Sequence, residues 1–343
     1  MCEIKQLRRL SGRAWSNSGG FARQSKGGLQ ALALGPTLAS LLLLGLLLFG
    51  TGAAVSAAEP SKLTPKMSEA FANYVAATDA RNNSELQRGT ALLWIDSLPE
   101  AERKRAYAAL EQGEAQLEQR GTRESGGEIS CPNCMIHHWE GLAFIPGAKL
   151  DDVLRVLEDY NHHAEYYAPD VTRSRIESRD GDHFRVFLRF RRQKIITVVL
   201  NTEHDVTYYR DSASRAHSRS SATRIAEVDN PGKANEREEL AGDDNGLLWG
   251  METWWRMEEK NNGVYVQSEV VSLTRNIPTG LRWMIGPFVT AIPKESLTFT
   301  LAATRKAVLS HLQAHGNIYK PRFELLSNFC STADANTLLN FSE

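Results

Sequence analysis

Cysteine is scarce in this chain: there are four in 343 residues, at Cys2, Cys131, Cys134 and Cys330. So few cannot staple a small domain, and stability has to come from an apolar core. Basic charge is not in excess, since 40 Lys and Arg face 41 Asp and Glu. Nothing in that balance suggests a nucleic-acid binder, which needs a concentrated positive face. After Ala58 no uncharged stretch is long enough to cross a bilayer. There is no Gly-x-Ser-x-Gly nucleophile elbow, and no acid–histidine pair at helical metal spacing.

The N-terminus is organised differently. Lys5, Arg8, Arg9, Arg13, Arg23 and Lys26 form a basic leader opposed only by Glu3. Gly27 to Ala58 carries no charge, Leu41 to Phe49 is almost pure leucine, and Val55-Ser56-Ala57 is a small-x-small site. Residues 1–57 therefore read as a secretory signal peptide cut after Ala57. An uncleaved inner-membrane anchor is the alternative, and it would be the chain's membrane attachment. Basic residues stay on the cytoplasmic side, so both readings place the rest in the periplasm or outside the cell. Removing the leader leaves 34 basic and 40 acidic residues, a charge of −6.

Residues 58–122 read as a helical prefix. Thr64-Pro65 is a capping hydroxyl followed by proline at the first helical position, and Met67, Phe71, Tyr74, Val75 and Thr78 recur on one face. Arg81-Asn82-Asn83-Ser84 should break that helix. A second, short helix ends in Ala91–Ile95. Ser97-Leu98-Pro99-Glu100 is a capping box opening a third, which runs through Tyr107, Leu110 and Leu117. The prefix, helices 65–120, could dock a partner in the envelope.

A polar linker, 123–135, leads into a β-rich domain, 136–313. The pattern gives a strand over Met135–Ile145, a helix over Lys149–Tyr160 and six strands with short turns. These are Thr172–Arg179, His183–Arg191, Ile195–Tyr209, Ser214–Val228, Gly246–Glu258 and Val264–Thr274. Phe184, Val186, Leu188 and Phe190 alternate with Arg185, Arg189 and Arg191, as a half-buried strand requires. Short turns make the sheet an antiparallel meander. A final helix, Pro293–His311, presents Leu297, Leu301, Thr304, Val308 and Leu312 to it. A tail, 314–343, follows. The fold class is α+β: a curved antiparallel sheet around a long C-terminal helix, with an N-terminal helical prefix.

The β-α-β₆-α order, with Asp159-Tyr160 closing the first helix and Tyr166-Tyr167-Ala168-Pro169-Asp170-Val171 leading to Ser174, resembles the START-like, helix-grip superfamily of lipid-transfer proteins and polyketide cyclases. The resemblance covers about residues 136–312. It implies an internal cavity for a hydrophobic small molecule such as a lipid, fatty acid or quinone. It carries over no shared catalytic residue, and the residues themselves lead to no expected cofactor or metal.

Several groups are candidates for that cavity. On Ser214–Val228, Arg215, His217 and Arg219 alternate with Ala216, Ser218, Ser220 and Ala222, and the small face is expected inward because it leaves room for a ligand. A basic face turned inward, with Arg189 or Arg191, would instead hold an anionic headgroup. Trp249, Trp254, Trp255 and Trp283 would line or roof the cavity, with Tyr167 as a further lining candidate and Leu297 and Leu301 as its wall. His162-His163 could gate it. In an enzyme, His204 or Tyr208 would act as acid and base, but Glu203 and Asp205 point away from His204 on their strand. A third reading is a scaffold with a filled cavity. Cys131-Pro132-Asn133-Cys134 precedes a strand and lacks the helix that activates a thioredoxin-like thiol. It is expected as a local disulfide, and His137-His138, on opposite strand faces, make poor co-ligands for a metal.

Overall fold

The computed structural model describes residues 62–89, 92–124, 127–193, 197–277 and 282–314, and for 123–128 and 282–290 the backbone only. The expectations for the leader, for Cys330 and for the tail beyond Ala314 lie outside the described residues.

One antiparallel sheet carries the architecture. Its strands are β1 (Gln116–Gln119), β4 (Cys134–Pro146), β5 (Val171–Asp180), β6 (His183–Gln193), β7 (Thr197–Arg210), β8 (Arg215–Asp229), β10 (Gly250–Lys260) and β11 (Gly263–Arg275). They lie in the order β1-β4-β11-β10-β8-β7-β6-β5, with the short β9 (Arg237–Glu238) on the end of β8. A separate two-residue ladder joins β2 (Arg123–Glu124) to β3 (Gly127–Glu128).

Helices cover both faces. On the concave side lie α3 (Leu150–Glu158), the single turn α4 (His163–Tyr166) and the long α5 (Arg282–Ala314). On the convex side lie α1 (Pro65–Arg88), a 3₁₀ turn (Trp94–Ser97) and α2 (Glu100–Glu111). The helix-grip arrangement expected from the sequence is therefore present, with a second helical layer on its back.

The register fixes which side chains meet α5. Gly141 faces Ser268, Ser268 faces Trp255, Trp255 faces Ser218 and Ser218 faces Tyr208 across successive strands. This row looks at α5, because a side chain added at Gly141 would sit 2.7 Å from Leu301. One end of the grip is solid: Val153 and Leu157 of α3 pack with Phe184, Val206, Met257 and Val308. Burying each such side chain contributes roughly 1.5–3 kcal/mol.

The prefix departs from its expected outline in three places. First, α1 runs on to Arg88 instead of breaking at Arg81–Ser84. Asn82 is a poor helix former, but its amide is buried, donating to Glu269 and accepting from Arg256, and tertiary bonding overrides propensity. Second, α2 starts after Pro99 with no side-chain cap, so Ser97 and Glu100 do not close their box. Third, Leu117 leaves the helical pattern and joins β1, pairing with Gly141. The Thr64-Pro65 start is as expected: the Thr64 hydroxyl accepts from the Met67 amide at 3.4 Å. The final helix begins at Arg282, not Pro293. Proline removes one ladder hydrogen bond, which a long helix packed along a sheet can tolerate.

Leu93, Ile95 and Leu110 of the convex cover pack against Leu142, Phe144 and Tyr265 of the sheet. The helical prefix, expected either to pack on the main domain or to serve as a docking surface, thus covers one face of the sheet.

Candidate functional site

Beyond the solid end of the grip, the concave face changes character. Trp139, Leu188, Phe190, Trp255 and Val270 point to the α5 side, yet each stays partly exposed. Trp255 touches both the α3-centred core and the Leu297/Leu301 cluster, so it stands at their boundary. Beside it the β8 face carries Ser220 and Ala222, which are half-buried. The result is an apolar recess floored by large side chains on β6, β10 and β11 and small ones on β8.

His204 is a polar group buried beside this face, 3% exposed. A register shift between Glu203 and His204 marks a bulge in the β7–β8 ladder, a device that re-aims side chains. The imidazole Nε2 lies 2.9 Å from the Thr202 hydroxyl and Nδ1 lies 3.5 Å from that of Ser220. Burial pushes its pKa down to about 4, against the weaker opposing pull of Asp205. It is therefore a neutral hydrogen-bonding group near pH 7. Asp205 faces outward to Arg185, as strand alternation requires. Among the described residues no carboxylate hydrogen-bonds His204. Tyr208 is occupied elsewhere, donating to the Leu157 carbonyl at 3.0 Å and meeting Tyr160 at 2.9 Å.

The small face of β8 does point inward and Arg215, His217 and Arg219 point outward, but the room is partly taken. Ser218 is 1% exposed and its hydroxyl has no partner among the described residues. Leu297 and Leu301, expected as cavity wall, are 3% and 1% exposed and fill the space over Gly141 and Ala143. Tyr167 is buried against Val171 and Ala303, its hydroxyl 3.0 Å from that of Thr304, and burial raises its pKa to about 12. It fastens the β5 approach to α5.

Two tryptophans need correction. Trp254 lies on the convex face, packed against Tyr74 and Val75, with its indole N–H donating to Asp79 at 2.7 Å. Its strand neighbour Trp255 takes the inward place, because successive strand residues alternate. Trp249 packs with Met67 and Leu273 and donates to Asp244 at 2.8 Å. The side chain of Trp283 lies outside the described residues. Arg189 is spent on a two-pronged pair with Glu236, at 3.0 and 2.9 Å, and Arg191 faces outward. The arginine that reaches α5 is Arg192, which bonds Asp170 and donates to the Ser296 hydroxyl at 3.0 Å. An open cleft of about 360 Å³ sits there, walled by Pro169, Asp170, Arg191, Arg192, Gln193 and Glu295.

The remaining sequence candidates serve structure. Cys131 and Cys134 form a disulfide, and Cys134 packs on Met67. His163 is buried, with its pKa lowered to about 4 by burial, while His162 is exposed and bonded to Asp159 at 2.7 Å. His137 meets the Thr274 hydroxyl at 3.1 Å.

His138 belongs to a buried network that the sequence reading missed. The Thr122 amide donates to the Tyr74 oxygen at 2.8 Å, leaving the tyrosine proton for His138 Nδ1 at 2.9 Å. His138 Nε2 then carries the ring proton and donates to Glu269 at 2.5 Å. Arg81 and Asn82 bond the same carboxylate. Polar residues recurring at alternate strand positions (His138 and Glu140, then Gln267 and Glu269) were the available signal.

No protein-family model matches the chain, and no curated protein matches it. Solved structures do. A STAR-related lipid transfer protein fragment from Xanthomonas axonopodis is 18% identical, spanning 57% of this chain and 98% of its own, with a TM-score of 0.35. The Zhui aromatase/cyclase from Streptomyces sp. R1128 is 14% identical over 54% and 100%, with a TM-score of 0.35. Human STARD10 is 11% identical over 67% and 89%, with a TM-score of 0.36. The strand order, the inward row and the long C-terminal helix described above are those of a curved antiparallel sheet gripping a helix, as the sequence led us to expect.

Proposed function

We propose that the protein binds a hydrophobic small molecule against the concave face of its sheet, outside the cytoplasm. One observation carries the reading: Leu188, Phe190, Trp255 and Val270 turn toward the core side and yet remain accessible. Apolar side chains lining a concave recess, with a few polar groups among them, are the usual make-up of a small-molecule site. Ser220, half-buried beside Trp255, supplies such a group, backed by the buried and uncharged His204. The cleft at Asp170 and Arg192, beside Ser296 of α5, is the proposed route of entry. The ligand class is a lipid, fatty acid or quinone.

Native mass spectrometry of the protein purified from its own envelope fraction tests this directly, with a co-purifying apolar molecule as the expected result. Leu188→Trp should fill the recess and weaken uptake of a fluorescent fatty acid or quinone analogue. Equal uptake by the variant and the parent would sink the proposal.

A further inference from the structure

A second recess lies on the opposite side of the sheet. The C-terminal end of α1, the 3₁₀ turn, the residue after β1 and the middle of β10 converge there. Glu85, Arg88, Trp94, Ser97, Arg120 and Arg256 wall a cleft of about 100 Å³. Three guanidiniums thus meet one carboxylate in a space about the size of a single small ion. Nothing in the proposed ligand site uses them.

The arginines differ in how far they are already committed. Arg256 is 3% exposed and donates to the Leu92 carbonyl, Asn82 and Glu85. It forms a fixed positive floor, largely offset by Glu85. Arg120 donates through Nη1 to Glu118 at 3.2 Å and turns Nε toward Glu140 at 3.2 Å. Glu140 is no full counter-charge, because burial beside Glu269 pushes its pKa up to about 8. Arg88 spends only Nη1, on the Ser84 hydroxyl at 3.1 Å. The Nη2 of Arg120 and the Nε and Nη2 of Arg88 have no partner among the described residues, and Ser97 shares the wall with them.

We propose that this cleft binds a small tetrahedral oxyanion, phosphate or sulfate, between Arg88 and Arg120. Guanidinium N–H groups match oxyanion oxygens in charge and in geometry. Arg120 is partly buried, which strengthens its attraction for an anion relative to open solvent, since screening falls with burial. The carboxylate of Glu85 keeps Arg256 in place and restricts the ion to the outer pair.

The experiment is calorimetric titration of the full mature chain with inorganic phosphate, sulfate, acetate and chloride at fixed ionic strength. Phosphate and sulfate should bind with one-to-one stoichiometry, with acetate and chloride silent. Arg88→Gln and Arg120→Gln should each weaken phosphate about tenfold, the loss expected for one charge-assisted hydrogen bond. Arg88 is exposed, so its variant should keep the parent melting curve and isolates binding from folding. Phosphate behaving like chloride, acetate binding as tightly as phosphate, or undiminished phosphate binding by both variants would each overturn the proposal.

Discussion

Glu140 and Glu269 stand directly opposite each other on β4 and β11, on the same face of the sheet, and both are buried. Two carboxylates so placed cannot both ionise cheaply. Burial alone would raise Glu269, but the hydrogen bond from His138 and the charge of Arg81 outweigh it and hold its pKa near about 2. Burial and the Glu269 charge instead raise Glu140 to about 8. Glu269 is thus the ionised member and Glu140 the protonated one at neutral pH.

This pair sets a pH dependence of stability. Glu140 starts from an ordinary value of 4.5 and is raised. Its contribution is complete below that value and is lost as pH rises through about 8, at no more than about 1.4 kcal/mol per pH unit. Glu269 is lowered, so its contribution is complete above 4.5 and does not vary in that window. Glu140→Gln should flatten the fall in melting temperature above pH 6.5, where the buried histidines no longer contribute. An unchanged slope would show that Glu140 is not the titrating group.

Acid acts through the buried histidines. His163 and His204 both have pKa values lowered to about 4, against an ordinary 6.5, so the unfolded chain binds more protons between those values. Stability should fall as pH drops from 6.5 toward 4. His204→Gln should remove about one proton of that linkage, measurable from denaturant midpoints across the range.

Removing Glu269 should be costly. Glu269→Ala leaves His138, Arg81 and Asn82 without their shared acceptor beneath α1. Breaking a buried pair from one side costs roughly 3–5 kcal/mol. Chemical denaturation measures the loss, and a change below about 1 kcal/mol would mean that the network relaxes or admits water.

Gly141 and Leu301 should prove coupled. A methyl at Gly141 would lie 2.7 Å from Leu301 Cδ1 and 3.1 Å from Leu297 Cδ2. Gly141→Ala should therefore destabilise by about 1–3 kcal/mol through overpacking, and Leu301→Ala alone by about 2–5 kcal/mol through the cavity it leaves. Together they should cost clearly less than their sum. Additive losses would show that the two do not compete for the same space.

The Cys131–Cys134 disulfide closes a loop with a sequence separation of 3. Chain-entropy arguments allow such a loop roughly 2 kcal/mol or less. A Cys131→Ala/Cys134→Ala protein should fold and melt only slightly earlier. Failure to fold would assign the bridge a larger part in seating Cys134 on Met67 and Leu273.

Local pattern was enough to place the seven long strands and the helix facing. The alternation of Phe184, Val186, Leu188 and Phe190, and the small face of β8, depend only on which neighbours share a strand face. The sequence could therefore say that Ser220 and His204 turn inward. It could not say which tryptophan lines the recess, because Trp254 and Trp255 differ by one register step and only pairing with Ser218 and Ser268 assigns Trp255 inward. It also could not say whether Leu301 walls a cavity or fills it, which depends on Gly141 lying beneath it across the fold.

The helical segment ahead of the β domain shows the same division. Its apolar spacing marked a helix with one buried face, and Thr64-Pro65 marked where it starts. That it continues past Arg81–Ser84 was decided by Glu269 and Arg256, more than 170 residues away along the chain. A helix break is a local preference worth a fraction of a kcal/mol per residue. A buried carboxylate left without its donors costs several times more, and only the tertiary structure brings the two into contact.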